Sequence, residues 1–325
     1  MEIAEKRWKV TDRILKNFQS EYKGLTRDLK AEMTDFLTGL NITSLELNKR
    51  ISERDRYRLN KLLRDNEKAV QSNKYTAYKA QTRKRGMTYR EYIDLMLLLI
   101  YTIYMYRTYN RLKPVFKAVS EDAVKQAREE MGREPLIPFF VTWDLIEGFL
   151  IVLVTGNTLR EYLNLLALTD SQEAYTLFMQ LLNPNIDGKN QLDALLEKQQ
   201  NRIVKIHDGK ESGAVVDLTH QLWNQMYIEP YKNENVQVRF IAEMDNVTTK
   251  MCKGMDNMLF YTNDWNRYYR WSEMDKKDVF YTTFGLKQGE NLPPIDNHFH
   301  WCRSTVTYMV DTPRNTIDRM LHPER

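Results

Sequence analysis

The chain has 325 residues, of which 42% are hydrophobic and 28% charged, with 48 Lys and Arg against 44 Asp and Glu. That apolar content excludes a disordered chain, which could not bury enough surface to offset its ordering entropy, and a net charge of +4 does not by itself point to nucleic acid. With 12 Gly, 9 Pro and 2 Cys, turn-makers fall below the usual ~12% and a disulfide scaffold is excluded, so the composition favours long helices in a reducing compartment.

Residues Val10, Ile14, Phe18, Tyr22, Leu25, Leu29, Met33, Phe36 and Leu40 recur every three or four positions, which predicts one long amphipathic helix ending near Gly39 and Asn41. Thr43–Glu46, Thr88–Glu91 and Thr158–Glu161 each have capping-box spacing, in which a Thr and a Glu three residues later satisfy each other's backbone N–H groups. Each box predicts a helix start: one carrying Leu59, Leu62 and Leu63, one carrying the apolar run 95–106, and one carrying Tyr162, Leu165 and Leu166. The run LMLLLIYTIYMY at 95–106 is too short for the roughly 20 residues a membrane span needs, so it reads as a buried helix with no membrane span. The charged N-terminus has no secretory apolar segment.

Between Lys68 and Arg90 there is no acidic residue, while Lys74, Lys79, Arg83, Lys84 and Arg85 are interleaved with Tyr75, Tyr78 and Tyr89. Lys79, Arg83, Lys84 and Arg85 are candidate contacts to DNA phosphates, without sequence reading, or to an acidic protein. The alternative is a solvated face.

Turn clusters at 183–188 and 208–209 precede a change of character. Residues 236–240 alternate apolar and polar, and 306–310 form a second strand-like run, with many aromatics between them. The fold class expected is therefore α+β: a long, mainly helical N-terminal arm over 1–200, a small mixed α+β module over 201–312, and a polar tail over 313–325.

Both cysteines fall in that module. Cys252, His298, His300 and Cys302 supply the four ligands that a structural zinc site takes, but the CxxC knuckles of such sites are missing. The same cysteines read as small buried apolar groups, so zinc and no cofactor both stand at this point. Asp296-Asn297-His298 resembles the start of a metal-dependent nuclease motif, but only Asn315 and His322 follow it where a second metal-site residue is needed. A nuclease or toxin-like enzyme built on His298, His300 and Cys302 is thus the alternative, and no enzyme the first expectation.

Residues 236–260, VQVRFIAEMDNVTTKMCKGMDNMLF, and 285–306, GLKQGENLPPIDNHFHWCRSTV, together resemble the phage Mu F-like head morphogenesis family, the minor head (minor capsid) proteins of tailed phages. The resemblance is carried in order by Asp245, Thr248, Cys252, Asp256, Pro293, Pro294, Cys302, Arg303 and Ser304, and Asn257 stands where that family usually has Gly. It covers residues 235–310. It implies a structural protein rather than a catalyst: one that associates with the phage portal and with capsid or scaffold proteins, lies inside the head beside packaged DNA, passes through the host cytoplasm during assembly, and acts in head morphogenesis or DNA delivery. Within the module Arg303 is a candidate for a bidentate pair with Asp245.

Overall fold

The protein is described from a computed structural model covering residues 2–40, 42–83, 86–152, 156–182, 191, 193–197, 205–207, 210–212, 214–234, 236–242, 256–257, 259–262, 264–272, 277–280 and 305–309. The α+β organisation read from the sequence is present: a long helical N-terminal region and small antiparallel sheets toward the C-terminus.

Helix α1 (Glu2–Gly39) runs for 38 residues. From Phe18 onward its buried face is the predicted stripe: Phe18, Tyr22, Leu29, Met33 and Phe36 are buried. Nearer the N-terminus the fully buried positions are Thr11 and Leu15, with Val10 and Ile14 half-buried. The Thr43 capping box forms as predicted but closes only one 3-10 turn, Ser44–Glu46. The next helix, α2 (Glu53–Asp65), takes its cap from Ser52, whose side chain accepts the Asp55 N–H at 3.1 Å. Helices α3 (Glu67–Ser72) and α4 (Lys74–Thr82) follow. Asn73 caps α4 by accepting the N–H groups of Tyr75 and Thr76.

Helix α5 (Tyr89–Met131) is 43 residues long and opens on the Thr88 capping box. Every residue from Leu95 to Met105 is buried, which places this apolar run at the centre of a helical core rather than on an amphipathic surface. Among the described residues no helix is long and apolar enough to cross a membrane. The hydroxyls in the run find partners on neighbouring helices: Thr102 lies 2.5 Å from the Thr76 hydroxyl and accepts from Asn73 Nδ2 at 3.4 Å, Tyr101 donates to Met33 Sδ at 3.3 Å, and the Tyr104 hydroxyl lies 3.3 Å from that of Thr26. Pro114 lies inside α5, where its ring removes the N–H that would bond the Asn110 carbonyl. Gly132, with φ +64°, ends the helix in the left-handed conformation that a side chain disfavours.

Further along the chain lie α6 (Trp143–Phe149), the two-residue strands β1 (Ile151–Val152) and β2 (Asn157–Thr158), and α7 (Leu159–Leu181) on the third capping box. Strands β3 (Lys205–His207) and β4 (Lys210–Ser212) pair antiparallel, with His207 opposite Lys210. After α8 (Ala214–Ile228) come β5 (Gln237–Ile241), β6 (Leu259–Tyr261), β7 (Asp264–Ser272), β8 (Lys277–Phe280) and β9 (Thr305–Tyr308). They form one antiparallel sheet in the order β8-β7-β6-β5-β9. The two predicted strand segments, β5 and β9, are neighbours, with Phe240 opposite Val306.

The compact units do not follow chain order. One comprises residues 1–16, 115–153 and 214–325; the other comprises 17–114 and 154–213. The chain passes from one to the other within α1 and again within α5 at Pro114.

Candidate functional site

In the helical unit, residues 17–114 and 154–213, the predicted basic segment turns out to be partly neutralised. Lys79 Nζ lies 3.2 Å from both oxygens of Asp94, and Arg83 Nη1 lies 3.1 Å from Asp94 Oδ2. Arg83 also donates to the Glu91 carbonyl at 3.4 Å. These side chains are only about a quarter exposed, so the pairs are less screened than surface ion pairs. Lys79 and Arg83 therefore join α4 to α5, and the acid-free window missed this because Asp94 lies four residues beyond it. Lys68, Lys74 and Arg90 are exposed on the same segment. Lys84 and Arg85 lie outside the described residues.

The Glu91 carboxyl is held below its ordinary range, first by the Thr88 N–H it accepts at 3.0 Å, and to a smaller degree by the Thr88 hydroxyl and Arg83. An apolar groove of about 280 Å³ opens nearby between α2, α3, α4 and α5, lined by Ile51, Leu59, Leu63, Val70, Met87 and Leu95 among others. Deeper in, the Tyr104 hydroxyl is pushed up to about 12 by burial, and the buried Asp170 carboxylate adds to the rise.

In the other unit, α8 packs on β9 through aromatic rings. Trp223 stacks on Tyr227 and Tyr227 on Tyr308, with ring centroids 5.0 and 4.8 Å apart. Tyr231 meets the edge of Tyr308 at 5.4 Å. The C-terminal half of α5 supplies the polar partners. Asp122 accepts from Trp223 Nε1 at 3.1 Å, and Glu130 accepts from the Thr307 hydroxyl at 2.8 Å and from the Tyr227 hydroxyl. Burial first, then the neighbouring tyrosines, raises the Tyr308 phenol far above its ordinary value. His220 is buried on α8.

The motif residues are reached by the structure only at one point. Asp256 Oδ1 accepts the Ala242 N–H at 2.9 Å and the Asn257 N–H donates to the Phe240 carbonyl at 2.9 Å, so this turn is stitched to the end of β5. Asn257 has φ +65°, the conformation for which Gly is the default and Asn a tolerated substitute. Asn in place of Gly thus preserves the turn. Cys252, His298, His300, Cys302, Asp245, Thr248, Pro293, Pro294 and Arg303 lie outside the described residues. Among the described residues no cluster of three His, Cys, Asp or Glu could hold a metal.

One feature of this unit gave no signal in the sequence reading: the segment between α5 and α6. Leu136, Ile137 and Phe140 are 80%, 68% and 76% exposed, side by side in sequence with Pro135 and Pro138. The segment is nevertheless tied down. Glu234 accepts the Leu136 N–H at 2.6 Å and Arg133 Nη2 at 2.5 Å, Arg128 donates to the Phe139 carbonyl at 3.1 Å, and Tyr231 donates to the Arg133 carbonyl at 2.5 Å. Residues before proline favour extended backbone, which stiffens it further. The PLIPFF run could have been noticed for its apolar residues between two prolines, but its exposure depends on contacts made a hundred residues away.

Comparison of the chain with family models, curated proteins and solved structures yields no match in any of the three.

Proposed function

We propose that the chain is a non-catalytic assembly protein of a tailed-phage head, a minor head protein that docks on the portal. The observation that carries the binding part of this reading is the tethered apolar ridge of Leu136, Ile137 and Phe140. Exposed apolar side chains held in a fixed conformation lose little entropy on docking, and each contributes about 1.5–3 kcal/mol when buried, less the cost of association. The choice of the portal as partner rests on the ordered resemblance around Asp245–Asp256 and Pro293–Ser304. The left-handed Asn257 supports it, because the turn geometry suits the Gly of that family. A place inside the head beside packaged DNA and a role in DNA delivery belong to the same reading.

Co-expression with a tailed-phage portal protein, followed by co-elution and mass measurement, tests the proposal. The expected result is a complex of defined stoichiometry that is lost when Leu136 and Phe140 are both replaced by Ser, with circular dichroism unchanged. A chain that elutes alone, or a complex indifferent to the double substitution, removes the ridge as the docking surface.

A further inference from the structure

The apolar groove of the helical unit sits within a strongly basic stretch of the chain. Residues 49–90 carry fourteen Lys and Arg against four Asp and Glu, a net of +10 in a chain whose total is +4. Two of the four acids are held by neighbours. Asp55 accepts from the Ser52 hydroxyl at 2.6 Å and the Tyr89 hydroxyl at 3.0 Å, and Glu67 accepts from Gln71 Nε2 at 2.9 Å. Of the other two, Glu53 reaches Arg56 only at 3.9 Å, and Asp65 is the last residue of α2. Lys79 and Arg83 are paired with Asp94. Among the described residues, no carboxylate lies within 4 Å of Arg54, Arg58, Lys61 or Arg64, all exposed on α2.

The groove, about 280 Å³, is lined by Leu59 and Leu63 of α2, Val70 of α3, Ala77 and Ala80 of α4, and Met87. Its charged lining is Arg56, Arg83 and the Gln71-bound Glu67. Arg64 follows Leu63 and stands one turn beyond Asn60, another lining residue. No described lining residue is aromatic. A nucleic-acid strand would offer phosphates to the cations, but its bases would find no ring in the groove to stack on. A helix with one apolar and one acidic face meets both features: anchors at i, i+3 or i+4 and i+7 enter the groove, and carboxylates meet the positive field around it. At about 280 Å³ the groove falls just below the ~300 Å³ at which pockets for whole small ligands begin, which suits a few side chains presented by a partner backbone.

We propose that the groove between α2, α3, α4 and α5 is a docking site for an acidic amphipathic helix of a partner protein, with its apolar anchors in the groove and its carboxylates toward Arg56 and Arg64. This surface is separate from the Leu136–Phe140 ridge and does not rest on the portal reading.

The probe is a labelled, end-capped synthetic helix of about five turns with Leu on one face and Glu on the other, titrated with the full chain by fluorescence anisotropy. A counterpart with Lys in place of Glu is the comparison. Saturable binding of the Glu helix is expected, weakening as salt is raised, with no binding of the Lys helix. Ala80→Phe, which fills the groove, weakens it about tenfold or more, and the pair Arg56→Glu and Arg64→Glu weakens it by a similar factor. Arg64 is exposed, so Arg64→Glu alone keeps the fold should Ala80→Phe lose it. The Leu136→Ser and Phe140→Ser pair leaves this binding unchanged, so the two readings fail separately. Equal binding of both helices, absence of saturable binding, or affinity indifferent to the charge variants overturns the proposal. Displacement of the Glu helix by a short DNA duplex that binds more tightly also overturns it and makes the face a nucleic-acid surface.

Discussion

Asp94 illustrates how one carboxylate changes the reading of a charged segment. It neutralises both Lys79 and Arg83 and pins α4 to the start of the buried run of α5. Replacing it with Asn leaves two part-buried cations without their partner, and the expected cost is about 1–3 kcal/mol, the range for charge-assisted hydrogen bonds lost from one side. The urea midpoint of Asp94→Asn checks this; a midpoint equal to the parent's would mean the cations simply turn to solvent. The residue scale is also where sequence reading is weakest. The window 68–90 held no acid, so its charge looked available, and only the folding of α4 against α5 shows that two of the four candidate phosphate contacts are internal. Asn257 entered the reading only as a departure from the family's usual Gly, and it is the left-handed backbone there that shows why Asn serves.

At the scale of elements, local signals read well. The spacing of apolar residues found α1, and two of three capping boxes sit at the starts of long helices, α5 and α7. The Thr43 box shows the limit: the box satisfies backbone donors equally well on a single 3-10 turn, and nothing local says how far the helix continues. These boxes also carry a pH dependence. Glu91 is depressed by the Thr88 N–H and Glu161 by the Thr158 hydroxyl and N–H. A carboxyl with a lowered folded pKa contributes stability that is present above its unfolded value, near 4.5, and is lost as pH falls through the folded value. Glu91→Gln keeps a side chain that can still close the box but no longer titrates. Its unfolding midpoint is therefore expected to vary less between neutral and acid pH than that of the parent. Identical pH slopes would show that Glu91 is no part of the acid sensitivity.

For the molecule as a whole, buried phenols set the alkaline limit. Tyr22, Tyr104 and Tyr308 are all raised, chiefly by burial, with Tyr104 at about 12. A raised folded pKa means stability that is intact below the unfolded value of 10.0 and declines as pH climbs above it toward the folded value. Tyrosinate absorbance is expected to rise in two stages, the second coinciding with loss of helical circular dichroism. A single smooth titration with the helical signal intact would show that these rings are open to solvent. Fold class was readable at this scale because helix and strand signals segregate along the chain. The grouping into units was not: the contacts that define them, such as Thr305 to Asn224 and Tyr308 to Tyr227, span 81 residues and leave no periodic trace.

The burial of Leu95–Met105 on all sides has a consequence for biosynthesis. This run leaves the ribosome long before α7, whose Arg160 reaches Tyr109 on the same helix and whose Asp170 lies among the tyrosines of that core. At about 5–20 residues per second the nascent chain displays the side of this run that α7 covers for roughly ten seconds. Throughout that interval it is a client for holding chaperones, and translation pauses placed after residue 105 would lengthen the exposure, whereas pauses after residue 181 would fall when the core of that unit can already close.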